Sequence, residues 1–121
     1  RKMHRYKELK VWQKAIDLAV EVYKITEKLP KDERFGLISQ MNRAVVSIPS
    51  NIAERAGRNG KKEFHNFLGI ALGSSFELDT QMVISNRLNY LNDEDFKNVE
   101  KELEYVQNMI VKLKMSLNID T

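Results

Sequence analysis

The sequence has no cysteine. That excludes disulfides, zinc–thiolate sites, iron–sulfur clusters and a cysteine nucleophile. Glycine and proline are scarce, 5 and 2 among 121 residues, too few to supply the turns of an all-β fold. Histidine occurs twice, as His4 and His65, and the residues three positions earlier are Arg1 and Lys62. The Glu-x-x-His pairs of a carboxylate-bridged di-iron bundle are therefore missing. No Gly-x-Ser-x-Gly elbow marks a hydrolase. The longest uncharged stretch, Phe64 to Phe76, is 13 residues long and includes His65, Asn66 and two serines. A membrane helix needs ~18 to 20 apolar residues. Without a signal-peptide core or cysteines, the chain is expected to be cytoplasmic. The expectation is a non-enzymatic protein with no metal and no cofactor.

What is present is helical. Hydrophobic residues make up 42% and charged residues 31%, enough for one packed core with a solvated face. The length suits a single domain over 1–121. Four periodic segments emerge, at about 7–29, 33–56, 61–91 and 93–117. In the first, Leu9, Trp12, Ile16, Ala19, Tyr23 and Thr26 recur at three- and four-residue steps and predict the buried face, widened by Ala15, Val20 and Val22. Pro30 ends it, and Asp32 is placed to cap the next. The second has the seam Ile38, Met41, Val45, Ile48 and Ile52, with Phe35 and Ala56 at its ends. Pro49 interrupts it, yet the apolar period continues in step, which predicts one kinked helix. The third buries Phe64, Leu68, Ala71, Ser75, Leu78 and Met82, with Phe67, Ile70 and Phe76 partly off that stripe. The fourth is capped by Asn92, has Asp93, Glu94 and Asp95 in its positive first turn, and runs a heptad through Phe96, Val99, Leu103, Val106, Ile110, Leu113 and Leu117. Short connections predict an all-α, up-down-up-down four-helix bundle.

Charge is uneven along the chain. The net charge is only +3, but residues 1–14 carry a local +5, residues 34–62 another +5, and residues 77–104 a local −5. Such a distribution suits either a polyanion-binding face or charge-matched association between copies. The turn Gly57-Arg58-Asn59-Gly60-Lys61-Lys62 has the wrong spacing for a Walker A loop. It does feed a helix N-terminus, whose free N–H groups attract anions. Beside the apolar seam of the second helix run Gln40, Arg43, Ser47, Asn51 and Glu54, matched by Glu77 and Gln81 on the third. These positions are either a solvated flank or a hydrogen-bonded polar network at a helix or subunit boundary.

These residues resemble a known family. Lys7-Glu8-Leu9-Lys10-Val11-Trp12-Gln13-Lys14-Ala15 is similar to its opening motif. Phe35-Gly36-Leu37, Gln40, Arg43 and Ser47-Ile48-Pro49-Ser50-Asn51-Ile52-Ala53-Glu54 are similar to its second. Glu63-Phe64, Phe67-Leu68, Ile70-Ala71-Leu72-Gly73-Ser74 and Glu77-Leu78 are similar to its third. The family is that of the four-helix bundle proteins encoded in intervening sequences of bacterial 23S ribosomal RNA genes, to which the accessory protein of diversity-generating retroelements is also similar. The resemblance spans roughly residues 6–115. Arg55 stands where the family usually carries glycine. The resemblance implies a ring-shaped homopentamer and, for the retroelement relatives, binding to nucleic acid and to a reverse transcriptase.

The functional expectation is a homo-oligomeric bundle that binds RNA or DNA through a basic surface. Its contacts are Arg43, Arg55, Arg58, Lys61 and Lys62, joined by Lys2, Arg5, Lys7 and Lys10 from the first segment; they would neutralise phosphates and read little sequence. The polar network is expected at Gln40, Asn51, Glu54 and Glu77. Helix four, with Lys112 and Lys114, is expected to lie outside the site. The alternative is an assembly module that holds a protein partner and leaves nucleic acid alone.

Overall fold

The computed structural model describes residues 2–57 and 60–117. They form four α-helices: α1 (Lys10–Thr26), α2 (Leu37–Ala53), α3 (Lys61–Arg87) and α4 (Asp93–Ser116), with no strand among the described residues. Three short 3-10 segments, Lys2–Glu8, Lys31–Glu33 and Glu54–Gly57, lie between or before them. Each helix packs on two others: α2 on α1 and α3, and α4 on α3 and α1. Cross-helix bonds run antiparallel. Thr26 pairs with Asn42, Ser47 with Ser74, Ser85 with Met41, and Lys28 with Asp95. The result is an up-down-up-down bundle around one core.

The α3 and α4 seams lie where the periodicity places them. Phe64, Leu68, Ala71, Ser75, Leu78 and Met82 are all buried on α3, as are Val99, Leu103, Val106 and Ile110 on α4. The α1 seam differs. Its core face is Val11, Ala15, Leu18, Val22 and Ile25, continued by Leu29. Of the six residues expected there, only Thr26 is buried. Leu9, Trp12 and Ala19 pack at the rim of the core, and Tyr23 is 46% exposed. The two stripes have the same period and lie one residue apart, about 100° around the helix. Period alone does not say which faces inward. The one made of compact aliphatics does, while Trp12 and Tyr23, with their polar tips, take the edge. Trp12 stacks edge-to-face on Tyr6, ring centroids 5.5 Å apart, and so ties the N-terminal segment to α1.

The ends of α2 and α3 also differ from the periodic reading. α2 starts at Leu37 rather than near Glu33. Residues 31–33 form a separate 3-10 turn, and Glu33 reaches forward so that its Oε1 accepts the Leu37 N–H at 3.1 Å. A Cβ on Gly36 would meet that oxygen at 2.6 Å, so glycine is what permits this cap. Phe35 consequently sits in the turn instead of on the seam; it is 89% exposed, with the Arg34 guanidinium 5.7 Å from its ring. Pro49 lies within a single continuous helix and is buried. α3 stops at Arg87 because Asn89 adopts the left-handed conformation, φ 64°. Tyr90 N–H then bonds the Ser85 carbonyl and Asn89 N–H the Asn86 carbonyl, both at 2.9 Å, a Schellman closure with asparagine in the glycine position. α4 begins on Asn92, whose side chain accepts the Asp95 N–H at 2.7 Å.

Candidate nucleic-acid interface

The bundle gathers basic residues from distant parts of the chain at one end. The N-terminal 3-10 segment packs against Glu54–Gly57 and touches α1 and the end of α2. Gln13 secures it by donating to the Lys7 carbonyl at 2.9 Å. Exposed Arg5 and Lys7 therefore lie at the same end as exposed Arg55, Lys61 and Lys62. Arg55 does not hang free. Its guanidinium lies 5.5 Å from the ring centroid of buried Phe64, a cation–π contact that fixes its position while leaving it accessible.

Two expected contacts, Arg43 and Lys10, and one residue expected outside the site, Lys114, are placed differently. Arg43 is exposed but sits midway along α2, ten residues before Ala53, hence roughly 15 Å from that end. Lys10 begins α1 at the basic end, but its side chain lines the groove between α1 and α4 with Lys14, Lys101, Glu104 and Tyr105. Lys114 is at the basic end. Because α4 runs antiparallel to α3, its last turns return beside the start of α3. There Lys114 Nζ donates to the His65 carbonyl at 3.4 Å and would stand 3.2 Å from a Cβ on Gly69. Exposed Lys112 lies in the same turns. The last turns of α4 therefore lie at the same end as Arg5, Lys7, Arg55, Lys61 and Lys62 and do not stand apart from them. Arg58 lies outside the described residues, as does the Lys2 side chain.

The polar flank of α2 is part of a groove, not a fully buried network. Ser47 and Ser74 hydroxyls meet at 2.7 Å, and Asn51 Nδ2 donates to the Ser47 carbonyl at 2.8 Å and its hydroxyl at 3.0 Å. Gln40, Arg43, Glu77 and Gln81 line the same groove, about 420 Å³ in volume. Gln40 and Glu77 are exposed. Gln81 is only 7% exposed and its Oε1 has no hydrogen-bond partner among the described residues. Glu54 lies beyond the groove, in the 3-10 segment that follows α2.

The opposite end was not singled out by the sequence. A groove of about 540 Å³ between α1 and α2 is lined there by Tyr23, Leu29, Lys31, Arg34, Ile38 and Asn42. Lys28 closes the α1–α4 side with an ion pair to Asp95 at 2.7 Å; that hydrogen bond and the Asp95 charge raise the lysine above its usual range. Among the described residues no group of three or more His, Cys, Asp or Glu could hold a metal ion. No helix among the described residues is long and apolar enough to cross a membrane.

Residues 7–112 match the family described as 23S rRNA-intervening sequence protein. Among solved structures, the chain is similar to a crystal structure from Bacteroides thetaiotaomicron VPI-5482, described as a protein with unknown function from the S23 ribosomal protein family. The two share 22% identity and superpose with a TM-score of 0.80 over 86% of this chain and 97% of the other; at that identity the likeness concerns the fold alone. No curated protein matches the chain.

Proposed function

The chain belongs to the 23S rRNA-intervening sequence protein family, and on that premise we propose that it is a non-enzymatic, homo-oligomeric bundle that binds RNA or DNA through its basic end, in the cytoplasm. The observation that carries the reading is the packing of the N-terminal segment against Glu54–Gly57. It brings together Lys2–Glu8 and Glu54–Gly57, which are separated by all of α1 and α2 and belong to the two stretches that each carry a local +5. Arg5, Lys7, Arg55, Lys61 and Lys62 are the proposed phosphate contacts, with Lys112 and Lys114 beside them. Arg43 belongs to the α2–α3 groove and is left out of this set.

The homo-oligomer, a ring of five on the family resemblance, is part of the same proposal. Its support is surplus apolar surface. Val20 and Tyr23 are exposed on α1, and Ile70, Phe76 and Ile84 on α3, whereas monomers rarely leave large contiguous apolar patches uncovered. A polar groove with an unpaired buried amide at Gln81 favours a protein contact there. That groove is the observation behind the second reading, an assembly module for a protein partner.

The test compares two sets of neutralised residues. Arg5, Arg55, Lys61 and Lys62 are replaced by glutamine in one variant, and Lys24, Lys31, Arg34 and Arg87, all exposed near the opposite end, in another. Binding to generic RNA and duplex DNA is followed against salt. Each lost phosphate contact should flatten the log–log salt slope by about 0.7 on single strands and about 0.9 on B-DNA. The first set should flatten it and the second should not. Equal losses would mean bulk charge alone, and no binding by the unaltered protein at physiological salt would favour the assembly module.

A further inference from the structure

The seam between α3 and α4 holds a pair of acids that the basic end does not use. Asp79 of α3 and Glu100 of α4 line one small groove across it, with their carboxyls close enough to share a hydrogen bond. Asp79 Oδ1 and Glu100 Oε2 are both buried, and no N–H or O–H of a described residue meets either. An ionised carboxylate only accepts hydrogen bonds. Two such oxygens can bond to each other only when a proton lies between them, and two bare charges side by side repel.

The neighbours do not relieve the pair. The small groove around it, about 230 Å³, is lined by Lys101, Leu103, Glu104 and Gln107 besides the two acids. Lys101 makes no ion pair with either acid among the described residues. Glu104 adds a further negative charge. The Gln107 Nε2 donor is buried and reaches neither carboxyl. From α1, which also packs on α4, Lys10 and Lys14 line the adjoining groove, and the Lys14 ammonium lies over the Tyr105 ring at 5.8 Å. α2 does not pack on α4. Burial, then the hydrogen bond to Asp79 and the charges of Asp79 and Glu104, push Glu100 from 4.5 up to about 8.

We propose that Asp79 and Glu100 form a proton-operated latch between α3 and α4, closed while the pair shares a proton and weakened when it gives that proton up. The proton belongs to the pair as a unit. Its direction follows from linkage. The folded protein keeps a proton that the unfolded chain loses near pH 4.5, and releases it only near pH 8. The contribution is therefore fully present below about 4.5 and is lost as pH rises through about 8. This is opposite to the behaviour of an ordinary ion-paired carboxylate. A protein carrying the latch loosens its α3–α4 seam on the alkaline side of neutrality while the rest of the core is unchanged.

Glu100→Gln tests the latch, because the amide donates to Asp79 at every pH and mimics the shared proton. Stability is measured by urea denaturation from pH 5 to 9 for this variant and the unaltered protein. One proton changes the folding equilibrium constant by up to about tenfold per pH unit. The unaltered protein should lose at least about tenfold relative to the variant between pH 5 and 8. Hydrogen exchange at the α4 amides around Glu100, corrected for intrinsic rate, should accelerate above neutrality only in the unaltered protein. A carbon-13 titration of the Glu100 carboxyl, which needs no variant, should show a midpoint far above the ordinary glutamate range. Parallel stability curves for the two proteins, or an ordinary midpoint, would overturn the latch.

Discussion

Replacing Pro49 with alanine is expected to strengthen the protein even though Pro49 is part of the core. The residue lies inside α2, four positions before its end at Ala53, and is buried. Its ring supplies no N–H to the Val45 carbonyl and crowds it. In a helix interior proline costs about 3 kcal/mol relative to alanine. Against that, alanine removes two buried ring methylenes, roughly 1.6 kcal/mol at about 0.8 each, with a small addition for the space left behind. The difference favours the variant by about 1 kcal/mol, or about 4 °C in Tm for a domain of this size. Urea denaturation at a concentration low enough to hold the assembly state constant checks the sign, with an unchanged m-value as the condition that the folded state is the same. A loss of more than about 1 kcal/mol would refute the reasoning. It would mean that the core around Ile48 and Ile52 closes only with the backbone proline imposes, a far larger effect than two methylenes. Light scattering on the same variant addresses assembly: a changed particle size is expected, and an unchanged one would mean that Pro49 shapes no subunit contact.

Gly73→Ala should raise stability by about 0.5 to 1 kcal/mol, since glycine is the poorest non-proline residue within a helix and a Cβ there meets nothing within 4 Å; a thermal melt that falls instead would show that the outer face of α3 is covered in the assembled protein. Sedimentation at micromolar concentration should reveal a species several times the 14.1 kDa chain, and a lone 14.1 kDa species would end the ring proposal.

The parts of the fold legible in the sequence are those where one helix offers one choice. α4 has one apolar seam and a strong cap at Asn92, and α3 a main stripe from Phe64 to Met82 with Phe67, Ile70 and Phe76 partly off it; the structure buries that stripe and the middle of the α4 seam, and leaves Ile70 and Phe76 exposed. α1 offers two stripes of equal period, and only packing against α2 and α4 selects Val11 to Ile25. The start of α2 depends on a side chain, Glu33, capping from outside the helix, which no propensity describes. The end of α3 depends on Asn89 taking a conformation usually left to glycine. The Asp79–Glu100 pair was invisible for a different reason. Each acid is an ordinary helix-surface residue in its own segment, and the pair exists only when α3 and α4 run antiparallel in one particular register. The basic end was half legible. Charge runs can be counted along a sequence, but Arg43 leaves the set because it is mid-helix, while Lys112 and Lys114 come beside it because α4 returns to the end where α3 begins.

At that end the N-termini of α1 and α3 are arranged against the stability of their own helices. α4 starts with Asp93, Glu94 and Asp95, negative charges in the positive first turn, as the helix dipole favours. α1 has no acidic residue in its first turn and begins with Lys10. α3 begins with Lys61 and Lys62 against a single Glu63. A cation at a helix N-terminus costs about 0.3 to 1 kcal/mol when exposed at low salt, and Arg5, Lys7 and Arg55 crowd the same place. The negative C-termini of α2 and α4 at the same end account for Arg55, Lys112 and Lys114 but not for Lys10, Lys61 and Lys62, whereas an anion bound across the α1 and α3 N-termini would be favoured by these bases and by both helix dipoles. The two effects can be separated in one variant. Lys61→Gln with Lys62→Gln should bind RNA more weakly, with a flatter salt slope, and should unfold at a higher urea concentration by a few tenths of a kcal/mol. That opposition is the signature of residues kept for a ligand. If binding and stability fell together, the two lysines would be supporting the fold, and the anion site would lie elsewhere.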